Sequence, residues 1–265
     1  MKHVLLITIK GIFRDRIFQG IICVAALFFL IPNVSSLSMR QGTELSITLS
    51  LSLLSFILLL LAVFLGGTTI WKDVERRYTF GVLGLPLSRR SYLLGRFAGN
   101  ALFLCLTALL LGLLSVVVVK MAMLAYPPFR PVRWDSVLIA IVFDTLKSVL
   151  IVAIAFMFSS LSTSFFLPVF GTISMYLVGS ATQEVYDYLH SSSESIKGLS
   201  PVVVNFANAL YYILPNLSAF DYKLHAVYGL DIPFRGLALT FLYFFVYTGI
   251  VLTLASFIFG RREMK

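Results

Sequence analysis

Apolar residues in this chain do not alternate with polar ones in the two-residue rhythm of a half-buried strand. They run in unbroken blocks of roughly 20 residues, each long enough to cross a bilayer as a helix. Six such blocks are read, at about 17–37, 47–70, 97–119, 136–158, 165–182 and 234–259. Continuous apolarity argues against a β-barrel, whose strands alternate lipid-facing and lumen-facing residues. The expected fold is an all-α polytopic membrane protein, one transmembrane domain over residues 1–265 with six transmembrane helices.

The segments between the blocks carry their own patterns. In residues 1–16, Val4, Leu5, Ile7, Ile9, Ile12 and Phe13 interleave loosely with Lys2, Lys10, Arg14 and Arg16. That suits an amphipathic helix lying in the interface. Residues 21–31 have the length of a signal-peptide core, but the charged lead-in is long for one, so a retained first span is expected. Residues 183–233 form a large outer loop between the fifth and sixth spans. Within it, 201–214 is apolar but short for a span, and reads as a helix lying on or dipping into the outer leaflet, ended by Pro215. A seventh span there would strand Arg261 and Arg262 on the outside.

Charge orients the chain. Only 12% of residues are charged and 59% are hydrophobic, against about 25% charged in soluble domains. The net charge of +9 is the basic excess of inner loops rather than a nucleic-acid surface, since no basic stripe with interleaved aromatics occurs. With the N-terminus inside, thirteen Lys and Arg residues fall in inner segments and seven in outer ones, with Lys147 inside a span. Both termini are therefore expected in the cytoplasm. Cys23 and Cys105 lie within apolar blocks and read as small core residues, not as a disulfide or metal site.

Catalytic chemistry is hard to find. The chain has no G-x-x-x-x-G-K-[ST] phosphate loop, no H-E-x-x-H and no G-x-S-x-G. Its three histidines, two cysteines and seven methionines make no spaced cluster, so neither a catalytic nor a metal-ligating residue is assigned.

The most informative segment is 71–96, a charged island between two apolar blocks. Lys72, Asp73, Glu75, Arg76 and Arg77 continue the second span as a polar helix. Gly81, Gly84 and Pro86 break it, and Ser88 is placed to cap the next helix. Phe80, Val82, Leu83 and Leu85 sit between the charges. An apolar knob ringed by charge is what a docking element needs. A plain basic loop facing anionic lipid would explain the arginines, but not Asp73, Glu75 and the apolar knob.

The order acid-x-E-R-x-x-T, then L-x-L-P-L-S-R-R-x-x-L-L-G-R over 73–96, resembles the cytosolic loop of ABC-2 type permeases, the membrane subunits of ABC transporters with the type V exporter fold. L-P-N-L-S-A-F-D-Y-K at 214–223 is similar to the outer-loop signature of the NosY-like branch, and F-G-R-R-E at 259–263 to the family's inner C-terminus. The resemblance implies a dimer of permeases, homo- or heteromeric, in a bacterial inner membrane. Each copy would dock on a separate cytosolic ATPase that supplies ATP and magnesium chemistry, with no cofactor in this chain. It places Glu75, Arg76, Arg77 and Thr79 in the coupling element, and Pro86, Ser88 and Arg89 in its turn. Gly81 and Gly84 depart from the acid and larger apolar residues of the family pattern. A periplasmic partner on the outer loop is a further implied contact.

Two polar features lie inside the spans. Asp144 and Lys147 stand at i, i+3 in the fourth block and share a helix face. Intramembrane charges usually face a partner or a cavity. The pair reads as a transport-path or switch element, or as a mutually neutralised structural pair. Ser46, Thr48, Ser50, Ser52, Ser55, Thr68 and Thr69 line the second block, as a wetted path or as close-packing residues. Two other functions stay open: a secondary transporter coupled through Asp144 and Lys147, and a non-transporting membrane assembly scaffold.

Overall fold

The computed structural model describes residues 8, 10–12, 16–35, 41–75, 88–125, 128, 131–190 and 201–261. Among these the structure is helical, with no strand. Helix α1 (Arg16–Ala25) passes through a 3-10 turn (Ala26–Leu30) into α2 (Ile31–Ser35). Then come α3 (Gly42–Glu75), α4 (Arg89–Ala125), α5 (Trp134–Leu161), α6 (Phe166–His190) and α7 (Pro201–Ile213). A second 3-10 turn (Ser218–Phe220), α8 (Lys223–Tyr228) and α9 (Phe234–Arg261) complete the described chain.

Among the described residues, four helices are long and apolar enough to cross a membrane: Gly42–Asp73, Arg89–Ala125, Trp134–Leu161 and Phe234–Arg261. The 28 residues of α5 extend about 42 Å at 1.5 Å per residue, beyond the roughly 30 Å of bilayer hydrocarbon. The first apolar block is helical but interrupted, its 10-residue α1 giving way to five 3-10 residues. The fifth block is the lower part of α6, which runs past 182 to His190. The polar residues expected to open a loop there instead extend the helix. Gln183 Nε2 donates to Asp187 Oδ1 at 2.9 Å, one turn away, and the Tyr186 and His190 rings stack at 4.1 Å.

Helix α5 is the axis of the bundle. It packs against α3, α4, α6, α8 and α9, and is the most buried of the four long apolar helices, α9 the least. Every side chain from Val149 to Phe156 is buried, as expected of a helix apolar all round. Gly66 lets α3 approach it closely: a Cβ there would stand 2.7 Å from Ala155 Cβ and 3.4 Å from Val152 Cα.

The outward faces are as apolar as the interior. Leu109, Leu110 and Leu113 of α4 and Leu242, Phe245 and Val246 of α9 are exposed. Cys23 of α1 and Cys105 of α4 are exposed free thiols, which corrects their reading as packed core residues. A surface that meets lipid is apolar on both sides, so apolar neighbours in sequence do not imply burial.

Candidate functional site

Of the residues assigned to the 71–96 island, Arg76, Arg77, Thr79, Phe80, Leu83 and Pro86 lie outside the described residues. The remaining four mark where the segment leaves and rejoins the bundle. Ser88 caps α4: the Ser91 backbone N–H donates to Ser88 Oγ at 3.2 Å, the N-cap arrangement its position predicts. Arg89 Nη1 donates to the Gly260 carbonyl at 3.2 Å, tying the start of α4 to the end of α9. Glu75 is exposed at the end of α3.

Asp73 is turned inward. Its carboxylate accepts from Arg96 Nη2 at 2.7 Å and from the Tyr92 hydroxyl. The Asp73 and Arg96 side chains are only 8% and 14% exposed. Arg96 Nε donates to the Tyr92 oxygen at 3.3 Å, and its Nη1 to Thr8 Oγ1 at 3.1 Å. The Tyr92 ring is buried and stacks on Phe259, with centroids 6.2 Å apart. A Cβ on Gly99 would lie 2.7 Å from Thr8 Cβ, so Thr8 is pressed onto α4 here. One polar knot therefore joins the N-terminal segment, the end of α3, the start of α4 and the end of α9.

Thr8, Tyr92 and Arg96 escaped assignment from sequence. Tyr92 and Arg96 stand four apart at the foot of an apolar block, a helical spacing that hints at a shared face. Their partner Asp73 is met only when α3 and α4 fold back on each other.

The second assigned feature lies inside α5. Asp144 and Lys147 are both buried, and Lys147 Nζ stands 2.7 Å from Asp144 Oδ1. The contact is ionic but not aligned as a hydrogen bond, and neither carboxylate oxygen has a hydrogen-bond partner among the described residues. The neighbouring Phe143 ring meets Tyr222 edge-on at 4.9 Å. Of the α3 hydroxyls, Thr48, Ser55 and Thr69 donate to the carbonyl four residues back, the ordinary helix habit of such residues. Ser46 and Ser50 are buried with no hydrogen-bond partner among the described residues.

The segment after α7 is the least expected part. From Leu214 to Tyr222 the backbone is mostly irregular, yet Leu217 and Phe220 are buried. Irregular backbone packed against a helix bundle must find partners for its polar groups, and here it does. The Leu217 N–H donates to the Gly179 carbonyl at 2.9 Å. Ser218 Oγ donates to the Ser180 carbonyl at 2.9 Å. The Asn216 N–H donates to the Tyr243 hydroxyl oxygen at 2.9 Å, and Asn216 Nδ2 to Gln183 Oε1 at 2.7 Å. The Tyr247 hydroxyl donates to the Ile213 carbonyl at 3.1 Å. Tyr243 and Tyr247 stand nine and thirteen residues into α9, so the segment dips about 14–20 Å along that helix. Gly179 permits the contact, because a Cβ there would lie 2.6 Å from the Pro215 carbonyl oxygen.

At the end of the bundle away from Asp73, Arg133 donates to Asp135 Oδ2 at 2.9 Å and to Asp231. These hydrogen bonds, Asp135 first, hold the Arg133 guanidinium above its ordinary pKa. They link the start of α5 to the chain entering α9. Among the described residues no group of three or more His, Cys, Asp or Glu side chains converges as a metal site. No protein-family model and no curated protein matches this sequence.

Proposed function

We propose that this chain is the permease subunit of an ABC-2 type transporter, driven by a separate cytosolic ATPase docked on the 71–96 loop. The observation that carries the reading is the knot at Asp73, Tyr92, Arg96 and Thr8. It binds both ends of that segment to the end of α9 and to the N-terminal segment, so a push on the segment is delivered to several helices at once. A ligand can drive such a change only by binding two arrangements differently, and a nucleotide-dependent partner supplies that difference. With the four helices long and apolar enough to span, α1–α2 and α6 would make six crossings, with both termini cytoplasmic and the protein in a bacterial inner membrane. A second copy of the chain, homomeric or paired with a related permease, would complete the transporter. Its work would be export, or mechanical action on a periplasmic partner.

The test is co-purification with the ATPase subunit, then Glu75→Ala and Arg77→Ala. Reduced association or reduced coupled hydrolysis is expected in both. Unchanged association and activity in both would remove the segment from coupling.

A second reading, an ion-coupled secondary transporter, is favoured by one observation: a buried carboxylate, Asp144, is paired with a buried lysine, Lys147, inside a spanning helix. Transport that persists without any ATPase and collapses with the ion gradient would establish it.

A further inference from the structure

Helices α6 and α7 form the walls of a cavity of about 360 Å³ that is open on one side, lined chiefly by Leu177, Ala181 and Val185 of α6, Ala207 and Leu210 of α7, and Leu214 just beyond it. We infer that this cavity holds one hydrocarbon chain of a phospholipid from the leaflet at the Arg133 end of the bundle. It is a site separate from the knot at Asp73 and from the Asp144–Lys147 pair, and it stands whatever drives the protein.

The first argument is what the walls offer. Thr182 and Tyr211 are the polar residues lining the space. The Thr182 hydroxyl donates to the Gly179 carbonyl at 3.0 Å, and the Tyr211 hydroxyl to Gln183 Oε1 at 3.1 Å. Both donors are engaged, so the cavity offers little to water, which needs two to four polar partners in a buried site. Left empty, the walls would forfeit dispersion contacts on every side.

The second argument is position. The deep end, at Leu214, adjoins Ile213, whose carbonyl meets Tyr247 thirteen residues into α9. The cavity therefore lies beside the first half of a helix long and apolar enough to span a membrane. Its flanks are exposed and apolar: Leu177, Val178 and Val185 on α6, Phe206 and Ile213 on α7. Such an outward apolar surface beside a spanning helix is suited to lipid chains.

The third argument is that the walls are braced apart. Gln183 accepts from both Tyr211 and Asn216, and the Tyr186 and Tyr211 rings stack at 4.2 Å. This clamp joins α6 to α7 on one side and leaves the other side open. Ligand pockets of about 300–1,000 Å³ with mostly apolar walls are the usual form of a small-molecule site.

The experiment uses the full chain in nanodiscs of phosphatidylethanolamine and phosphatidylglycerol, doped with a phospholipid carrying a mid-chain diazirine. After irradiation, labelled peptides are mapped by mass spectrometry. Label is expected to be enriched on 177–185 and 207–214 relative to the open α4 face at Leu109, Leu110 and Leu113. Ala181→Trp, which fills the space, should abolish that enrichment and leave α4 labelling unchanged. Ala207→Leu, a smaller filling from the opposite wall, should reduce it. Labelling no higher than on α4, or undiminished by both substitutions, would overturn the assignment. So would a disulfide-linked dimer through Ala181→Cys in a background lacking Cys23 and Cys105, with label absent from the cavity, because a second copy would then be the occupant.

Discussion

Arg96 of α4 and Asp73 of α3 form an ion pair, Nη2 to Oδ2 at 2.6 Å, between side chains 14% and 8% exposed. Removing one partner of such a pair strands the other charge, at a cost of roughly 3–5 kcal/mol, whereas replacing both with apolar groups is often close to neutral. Asp73→Leu and Arg96→Met are each expected to lower the thermal unfolding midpoint in detergent. The double substitution should recover most of the loss. If ATPase coupling passes through the knot, the double variant will be stable yet poorly coupled, which separates the two roles.

Gly179 has no room for an added methyl. Its Cβ would meet the Pro215 carbonyl oxygen at 2.6 Å, and that segment is held by the Leu217–Gly179 hydrogen bond. Gly179→Ala is expected to displace residues 215–218 and cost about 1–3 kcal/mol, the usual range for overpacking. Hydrogen exchange should rise at the Leu217 amide. Gly249→Ala, with nothing within 4 Å of the new Cβ, is the neutral control.

Gln183 Oε1 accepts from Asn216 and Tyr211 together. Gln183→Leu removes that acceptor, and each stranded part-buried donor costs about 1–3 kcal/mol. The expected result is a lower unfolding midpoint and faster proteolysis between α6 and α7. The same change should broaden lipid labelling of the cavity by releasing the clamp.

Lys147→Met leaves the Asp144 carboxylate buried and uncompensated, while Asp144→Asn with Lys147→Met leaves no charge at all. Lys147→Met is expected to be the less stable of the two, by unfolding in detergent. If the double variant keeps full transport or coupled hydrolysis, the pair is structural. If it folds but loses activity, the pair belongs to the mechanism.

Much of the local structure was legible in the residues. Ser88 announces the start of α4 and Pro215 the end of α7, because capping and helix-breaking act within a few residues. The apolar blocks announce helices, because lipid obliges a spanning backbone to satisfy its own hydrogen bonds. The length of α6 was not legible: Gln183, Asp187, Tyr186 and His190 look like loop residues until they pair along a helix.

The sequence by itself determined that this is a helical, membrane-embedded chain with a charged break after its second apolar block. It also placed two opposite charges within a span. Only the tertiary structure decided that Asp73 faces Arg96 rather than solvent, that Cys23 and Cys105 face outward, and that residues 214–222 are folded back against α6 and α9. The physical reason is common to all three. In lipid the outside of a helix bundle is as apolar as its inside, so hydrophobic pattern locates the helices but not their faces or partners. Those depend on helix register and on which buried polar groups find one another.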